Sequence, residues 1–144
     1  MELILKNLKT AIFKVVEMMF FLLPDGKNTK GCSIYFGITG NPDYLITFNC
    51  HKDIARKMAM DLLGTYEIEV NEDFIQKCFE EKANIIASYF LHSFSTDEKR
   101  NLTSPCYRKK KVFGKYKKLE EEKLSVRFEG HDINVIIEAI EKTY

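Results

Sequence analysis

The sequence lacks an excess of either charge, a long apolar run and a low-complexity linker. Among its 144 residues, 22 Lys and Arg stand against 21 Asp and Glu, so the net charge of +1 gives the whole chain little attraction for nucleic acid. The apolar run at residues 18–23 is far too short to span a bilayer, and Pro24 follows it in place of a small-residue cleavage site. We therefore expect a cytoplasmic protein that does not enter a membrane.

Metal-binding and phosphate-binding motifs are also missing. The four cysteines, Cys32, Cys50, Cys78 and Cys106, form no CxxC pair, which argues against a zinc site or a small disulfide framework and indicates reduced thiols. The three histidines have no metal-ligand spacing, and the glycines form no phosphate-binding loop. We expect no metal and no cofactor on this chain.

What the sequence does have is a strong apolar and aromatic content. It is 45% hydrophobic with 11 Phe and 7 Tyr, enough for one domain over residues 1–144 with a sizeable core. Periodicity and turn residues predict helices at 3–23, 51–63 and 72–94 and strands at 31–38, 44–49, 106–113, 123–129 and 132–140. A polar loop is expected at 95–104 and a charged connection at 114–122. The order α-β-β-α-α-β-β-β predicts the α+β class, with an antiparallel sheet of paired hairpins and helices packed on it.

The third predicted helix separates apolar from polar residues. At about 100° per residue, one side carries a polar stripe that consists of Asp73, Lys77, Glu81, Asn84 and Ser88. Glu81 and Asn84 are three residues apart and project side by side, where a carboxylate and a carboxamide can grip a cation and position a water. The simpler interpretation is a helix face that only meets water. Small Ser88 and Ala87 would let another protein come close, and Lys82 falls near the centre of the apolar side.

This helix and its surroundings resemble the CheC/CheX/FliY family of chemotaxis phosphatases, and the CheX type most of all. Family members carry Glu-x-x-Asn at the head of Asn-Ile/Met-Ile-Ala-Gly on a long helix. Here residues 81–87 read Glu-Lys-Ala-Asn-Ile-Ile-Ala, with Ser88 where glycine is usual. The likeness extends to the strand at 44–48, the helix end at 60–64 and the Leu-Thr-Ser-Pro at 102–105.

The number of motif copies also resembles the CheX type. CheC and FliY types carry a second copy on the first helix. In this sequence the best counterpart begins at Glu17 and has Phe20 where asparagine is needed. One motif rather than two is the CheX arrangement.

The resemblance implies a specific activity. CheX-like proteins dimerise and dephosphorylate the aspartyl phosphate of a CheY-type receiver domain, which holds its own Mg²⁺. By that resemblance the catalytic residues are Glu81, which pairs with the partner's active-site lysine, and Asn84, which orients the attacking water. Lys77 and Ser88 on the same stripe are expected to contact the partner. Phosphoryl transfer needs mainly positioning and charge neutralisation, so no nucleophile or metal is required on this chain.

A basic segment at 107–118 offers a different hypothesis. Its cations interleave with Tyr107, Phe113 and Tyr116, a pattern that can bind nucleic acid through phosphates and stacking. The glutamates at 120–122 follow directly and oppose such a patch, so the charge balance favours a solvated hairpin over nucleic acid. An acidic receiver surface is another candidate partner for this segment.

Two further functions stay open beside the phosphatase. One is a non-catalytic CheX-like binding module in signalling or the flagellar switch. The other, more distant, is a nucleic-acid-binding domain that uses residues 107–118.

Overall fold

A computed structural model of the chain describes residues 19–22, 31–63, 72–92, 99–128 and 130–143. Its helices are α1 (Lys52–Leu63), α2 (Glu72–His92) and the one-turn α3 (Lys110–Phe113). Its strands are β1 (Met19–Leu22), β2 (Gly31–Thr39), β3 (Asp43–His51), β4 (Asn101–Leu102), β5 (Tyr116–Phe128) and β6 (His131–Lys142). Within these ranges, no helix is long and apolar enough to cross a membrane.

The described strands form one six-stranded antiparallel sheet in the order β1-β5-β6-β3-β2-β4. Two tight hairpins, β2–β3 and β5–β6, supply its centre, and β3 pairs with β6 to join them. Gly130 at the second turn has φ +81°, a conformation that glycine adopts without strain. The predicted α+β class, with an antiparallel sheet of paired hairpins and helices packed on it, is confirmed.

Alternation along the strands divides the sheet into two faces. The face under α1 and α2 is apolar, and its buried strand residues include Ile34, Phe36, Ile46, Phe48, Ile133, Val135 and Ile137. The Phe36 and Phe48 rings meet edge to face with their centres 5.7 Å apart. Burying one such side chain stabilises the fold by about 1.5–3 kcal/mol, so this layer is the main source of stability.

The opposite face is covered by the short helix α3. Gly37, Leu45 and Glu138 lie side by side on β2, β3 and β6. A Cβ on Gly37 would come within 2.5 Å of the Phe113 ring, so the absence of a side chain lets α3 pack this closely. Lys109, just before α3, places Nζ 2.9 Å from the carboxylate of buried Glu138.

The predicted helix at 3–23 is wrong at its end. Met19–Leu22 form β1 and pair with the Leu124–Arg127 stretch of β5, while the rest of the predicted helix lies outside the described residues. Phe20, part of the apparent second motif copy, is therefore in a strand. A short apolar run satisfies helix and strand periodicity equally well, and pairing with β5 decides between them.

The predicted strand at 106–113 is also wrong. Cys106 makes one isolated bridge to Tyr35, residues 107–109 form bends and a turn, and α3 occupies the last four positions. The charged connection predicted at 114–122 is instead the first half of β5, which pairs with β6 from Tyr116 onward. In the loop predicted at 95–104, Asn101 and Leu102 form β4 on the edge of β2. The other four predicted strands agree with observed ones: β2 contains 31–38, β3 contains 44–49, β6 contains 132–140, and β5 overlaps 123–129.

Candidate functional site on helix α2

Helix α2 carries the candidate site and is anchored at its start. Glu72 and Asp73 lie in its first turn, where carboxylates interact favourably with the helix dipole. The Glu72 carboxylate accepts a hydrogen bond from Lys52 Nζ at 2.6 Å, which joins the starts of α1 and α2. That hydrogen bond lowers the pKa of Glu72 and raises the pKa of Lys52. Both side chains are exposed, so the link orients the two helices more than it stabilises them.

The buried side of α2 determines which residues face outward. It consists of Ile75, Cys78, Phe79, Ala83, Ile86, Ala87 and Phe90. Their spacing of three and four residues keeps them on one side, so packing sets the rotation of the helix about its axis. Burial raises the pKa of the Cys78 thiol, and the Glu81 charge raises it further while Lys82 opposes. Cys78 is therefore a neutral core thiol and not a nucleophile.

This rotation exposes the polar stripe. Glu81 and Asn84 are both exposed and lie three residues apart on the helix surface, as predicted for side-by-side groups. Lys77 is exposed one turn before Glu81 and Asp73 two turns before it, and Ser88 is half-buried one turn after Asn84. Among the described residues, no hydrogen bond or ion pair engages the Glu81 carboxylate or the Asn84 amide. Both groups are available to a partner.

Two residues beside the stripe differ from expectation. Ala87 is fully buried, so its small side chain serves core packing and does not open an approach for another protein. Lys82 is half-buried, between exposed Glu81 and fully buried Ala83, and not at the centre of the apolar side. A lysine at such a border covers apolar surface with its methylenes.

Tyr107 lies next to the polar stripe, a position that no pattern in the sequence predicts. The Tyr107 hydroxyl donates a hydrogen bond to the carboxylate of Glu80, which precedes Asn84 by one helical turn. Burial, followed by the Glu80 carboxylate, raises the pKa of Tyr107 to about 12, so the phenol keeps its proton. The two residues are 27 positions apart, and only the path of the chain around the sheet edge brings them together.

The Glu81–Asn84 pair lies outside the cleft at the starts of α1 and α2. That cleft has a volume of about 630 Å³, and its lining includes Cys32, Lys52, Glu72, Gln76 and Tyr107. Within the described ranges, no group of three or more His, Cys, Asp or Glu side chains could hold a metal ion. Small ligands are usually enclosed in clefts, whereas an exposed helix face suits contact with another macromolecule.

Solved structures share this architecture along nearly the whole chain. CheX from Desulfovibrio desulfuricans matches with a TM-score of 0.65 and 13% identity over 96% of both chains. A chain of the CheX–CheY–BeF3–Mg²⁺ complex from Borrelia burgdorferi matches with a TM-score of 0.60 and 21% identity, over 98% of this chain and 97% of that one. This chain has the CheC/CheX fold.

The shared fold confirms the architecture that the family resemblance implies. The FliM middle domain from Vibrio alginolyticus also matches, with a TM-score of 0.52 and 8% identity over 98% of this chain and 92% of that one. No protein-family model and no curated protein matches the chain. On this CheX-like fold, the Glu81–Asn84 pair lies in the middle of the long helix α2.

Proposed function

We propose that this chain is a phosphatase that hydrolyses the aspartyl phosphate of a CheY-type receiver domain, in chemotaxis or related two-component signalling. The observation that carries the proposal is the exposed, adjacent pair Glu81 and Asn84 on α2 of a CheX-like fold. A receiver as partner is supported by the CheX of the same fold that was solved with CheY, BeF3 and Mg²⁺.

Each member of the pair has its own role. Glu81 pairs with a lysine in the receiver's active site and sets the angle at which α2 docks. Asn84 enters that site and holds a water in line with the phosphorus. The water oxygen attacks phosphorus, the bond from phosphorus to the aspartyl oxygen breaks, and the products are the free carboxylate and inorganic phosphate, with one proton passing to phosphate or solvent. An amide is a poor base, so Asn84 orients the water and does not deprotonate it.

The other components come from the partner. Mg²⁺ on the receiver neutralises the phosphoryl charge, and no cofactor is needed on this chain. Lys77 and Ser88, before and after the pair on the polar stripe, contact the receiver surface around its active site. The same proposal places the protein in the cytoplasm, with its substrate.

The decisive measurement is phosphate release from phosphorylated receiver domains of the same genome. Asn84→Ala should lower the rate at saturating receiver by about a hundredfold or more, because it removes the group that positions the water. Glu81→Ala should raise the receiver concentration needed for half-maximal rate by about tenfold, because it leaves the partner's lysine unpaired.

Matched controls exist elsewhere on the surface. Asn101→Ala removes a carboxamide, as Asn84→Ala does, from an exposed position on β4. Glu141→Ala removes a carboxylate, as Glu81→Ala does, from an exposed position on β6. Neither control should change the rate of phosphate release. Equal loss in Asn84→Ala and Asn101→Ala, or full activity in Asn84→Ala, would refute the catalytic role.

The second candidate is a non-catalytic binding module on the same scaffold. It is favoured by the half-buried Lys82 inside the motif and by the FliM middle domain, which shares the fold. This function predicts that the chain binds a receiver tightly while aspartyl phosphate decays at its intrinsic rate. Faster decay that depends on Asn84 excludes it.

A homodimer belongs to the same proposal. β6 is paired on both edges, whereas residues 116–123 of β5 pair only with β6 among the described strands. That open edge is where a second copy could extend the sheet. Light scattering should give twice the chain mass of 16.8 kDa, and a mass of one chain at working concentrations would contradict the dimer.

A further inference from the structure

Two carboxylates, and not one, lie a turn before Asn84 on α2. Glu81 precedes Asn84 by three residues and Glu80 precedes it by four, and both spacings make side chains neighbours on a helix surface. Helical side chains lean toward the helix N-terminus, so the Asn84 amide leans toward both carboxylates. A carboxylate accepts hydrogen bonds from an amide N–H group. Asn84 therefore has two neighbours in its own chain that can occupy its amide.

The two carboxylates have different partners. Glu81 is exposed and forms no hydrogen bond or ion pair with any described residue. Glu80 is half-buried, and its carboxylate accepts a hydrogen bond from the Tyr107 hydroxyl. Tyr107 also lines the cleft at the starts of α1 and α2, so this bond draws Glu80 toward the cleft. The Asn84 amide is left without a hydrogen bond to the described part of the chain.

Tyr107 is held in place by the sheet. The residue before it, Cys106, exchanges two backbone hydrogen bonds with Tyr35 of β2: the Tyr35 N–H donates to the Cys106 carbonyl at 2.8 Å, and the Cys106 N–H donates to the Tyr35 carbonyl at 2.9 Å. These bonds fix the backbone beside Tyr107, so the phenol reaches α2 from an anchored position. Its hydroxyl is thus a fixed donor for the flexible Glu80 side chain.

We infer that Tyr107 is a positioning residue, whose hydroxyl holds Glu80 away from Asn84 and so keeps the Asn84 amide free to orient the attacking water. This inference rests on the proposed function, because the water belongs to that reaction. Tyr107 acts only through Glu80, and Glu81 keeps its own role. Side-chain hydrogen bonds at a spacing of four residues favour the paired form by about twofold, so a released Glu80 would leave Asn84 free about a third of the time.

The first test measures phosphate release from a phosphorylated receiver. Tyr107→Phe removes only the hydroxyl and releases Glu80. The rate at saturating receiver should fall about threefold, because Asn84 is then free about a third of the time. The receiver concentration that gives half the maximal rate should stay the same, because Glu81 is intact.

Removing Glu80 separates this role from simple anchoring. Glu80→Ala should keep the wild-type rate, because it leaves no carboxylate to restrain. Tyr107→Phe/Glu80→Ala should return to the wild-type rate although it lacks the same hydrogen bond. Tyr35→Phe is the matched control, since it removes a hydroxyl on the opposite face of the sheet that bonds to no described residue.

The second test needs no activity. The Asn84 side-chain amide gives NMR signals in an isotope-labelled chain, and their absence from the Asn84→Ala spectrum assigns them. In Tyr107→Phe these signals should move downfield, as expected for an amide that donates to a carboxylate, and they should return in Tyr107→Phe/Glu80→Ala. Circular dichroism and thermal unfolding check that all variants fold as the wild type does.

Three results would overturn the inference. Equal slowing in Tyr107→Phe, Glu80→Ala and the double variant would mean that the bond only anchors the segment to α2. An unchanged rate in Tyr107→Phe, with Asn84→Ala slow, would mean that Glu80 does not compete for the amide. A higher half-maximal receiver concentration at an unchanged maximal rate would mean that the released Glu80 pairs with Lys77, its neighbour one turn earlier.

Failure of the proposed function looks different. Asn84→Ala would then leave the rate of phosphate release intact. The NMR signals of the Asn84 amide would still decide whether Tyr107 holds Glu80 away from it.

Discussion

The two faces of the sheet are held by different chemistry. Under α1 and α2, apolar side chains pack continuously, and Phe36, Phe48 and Ile137 are fully buried. On the opposite face, one row across four strands is polar throughout and consists of Ser33, Asn49, Asn134 and Ser125. Further along the same strands, buried Glu138 is paired with Lys109 and Gly37 receives Phe113.

The two faces differ in how their contribution to stability is distributed over individual contacts. On the helix-covered face many interchangeable apolar contacts act together, so stability is spread over the layer. On the opposite face a few specific contacts hold α3 and the basic segment in place, and each depends on particular partners. Substitutions on the two faces should therefore differ in size and in whether a second substitution can rescue them.

The largest effect is expected on the helix-covered face. Phe48→Ala removes a fully buried ring that contacts Phe36 and leaves a cavity. The free energy of unfolding should fall by about 3–5 kcal/mol, measured by urea denaturation. Phe48→Leu, which keeps most of the volume, should lose much less. A loss below about 1 kcal/mol for Phe48→Ala would mean that this face is not the main core.

A smaller, steric effect is expected at Gly37. Gly37→Ala places a Cβ within 2.5 Å of the Phe113 ring and pushes α3 away from the sheet. The free energy of unfolding should fall by about 1–3 kcal/mol, as for overpacked sites. Phe113→Ala lowers stability by itself, and adding Gly37→Ala to it should then lower stability by less than Gly37→Ala does alone, with the remaining loss due to Val112 Cγ1, which the new Cβ would approach within 2.7 Å. Additive losses in the double variant would show that Phe113 does not contact this site.

A still smaller effect is expected at Lys109. Lys109→Ala leaves the buried Glu138 carboxylate without its cation, and because the lysine side chain is 42% exposed the loss should be about 1–2 kcal/mol. Exposed Lys110→Ala, one residue later, is the matched control and should change stability by less than about 0.5 kcal/mol. Lys109→Ala/Glu138→Gln should recover part of the loss, and no recovery would contradict the pairing.

The same pair predicts a loss of stability at alkaline pH. Burial lowers the pKa of Lys109, but its hydrogen bonds with Glu138 and Tyr116 outweigh burial and raise it above the ordinary 10.5. Because the folded pKa is raised, the stabilisation is fully present below pH 10.5 and is lost as the pH rises through the folded pKa. The stability difference between wild type and Lys109→Ala should therefore shrink above pH 10.5, whereas a constant difference would exclude the charge as its source.

The two faces also differ in how far the sequence predicts them. The β2–β3 hairpin and helix α2 were predictable because their apolar residues recur every two or every three to four positions, which is the signature of one buried face. The polar stripe was predictable for the same reason, since it is the side that the apolar residues leave exposed. The family resemblance then singled out Glu81 and Asn84 within it.

The covering of the opposite face was not predictable from local pattern. Residues 106–113 contain strand-forming Tyr107, Val112 and Phe113, yet a helix forms there because Gly37, far away in the chain, leaves room for the Phe113 ring. The charged residues at 116–122 form a strand because β6 pairs with them on both sides of an irregularity at Leu119. Exposed charged side chains are compatible with a strand that has one open side.

By itself, the sequence determined the fold class, the helix that carries the candidate site and the pair Glu81–Asn84 on its exposed side. The helix and its exposed side follow from the periodicity within one segment, the fold class follows from the order of the predicted elements, and the choice of Glu81 and Asn84 follows from the family resemblance. Only the tertiary structure decided the strand at Met19–Leu22, the helix at Lys110–Phe113, the burial of Ala87 and the bond between Tyr107 and Glu80. Each of these depends on a partner distant in the chain, whose position is set by the packing of the whole sheet.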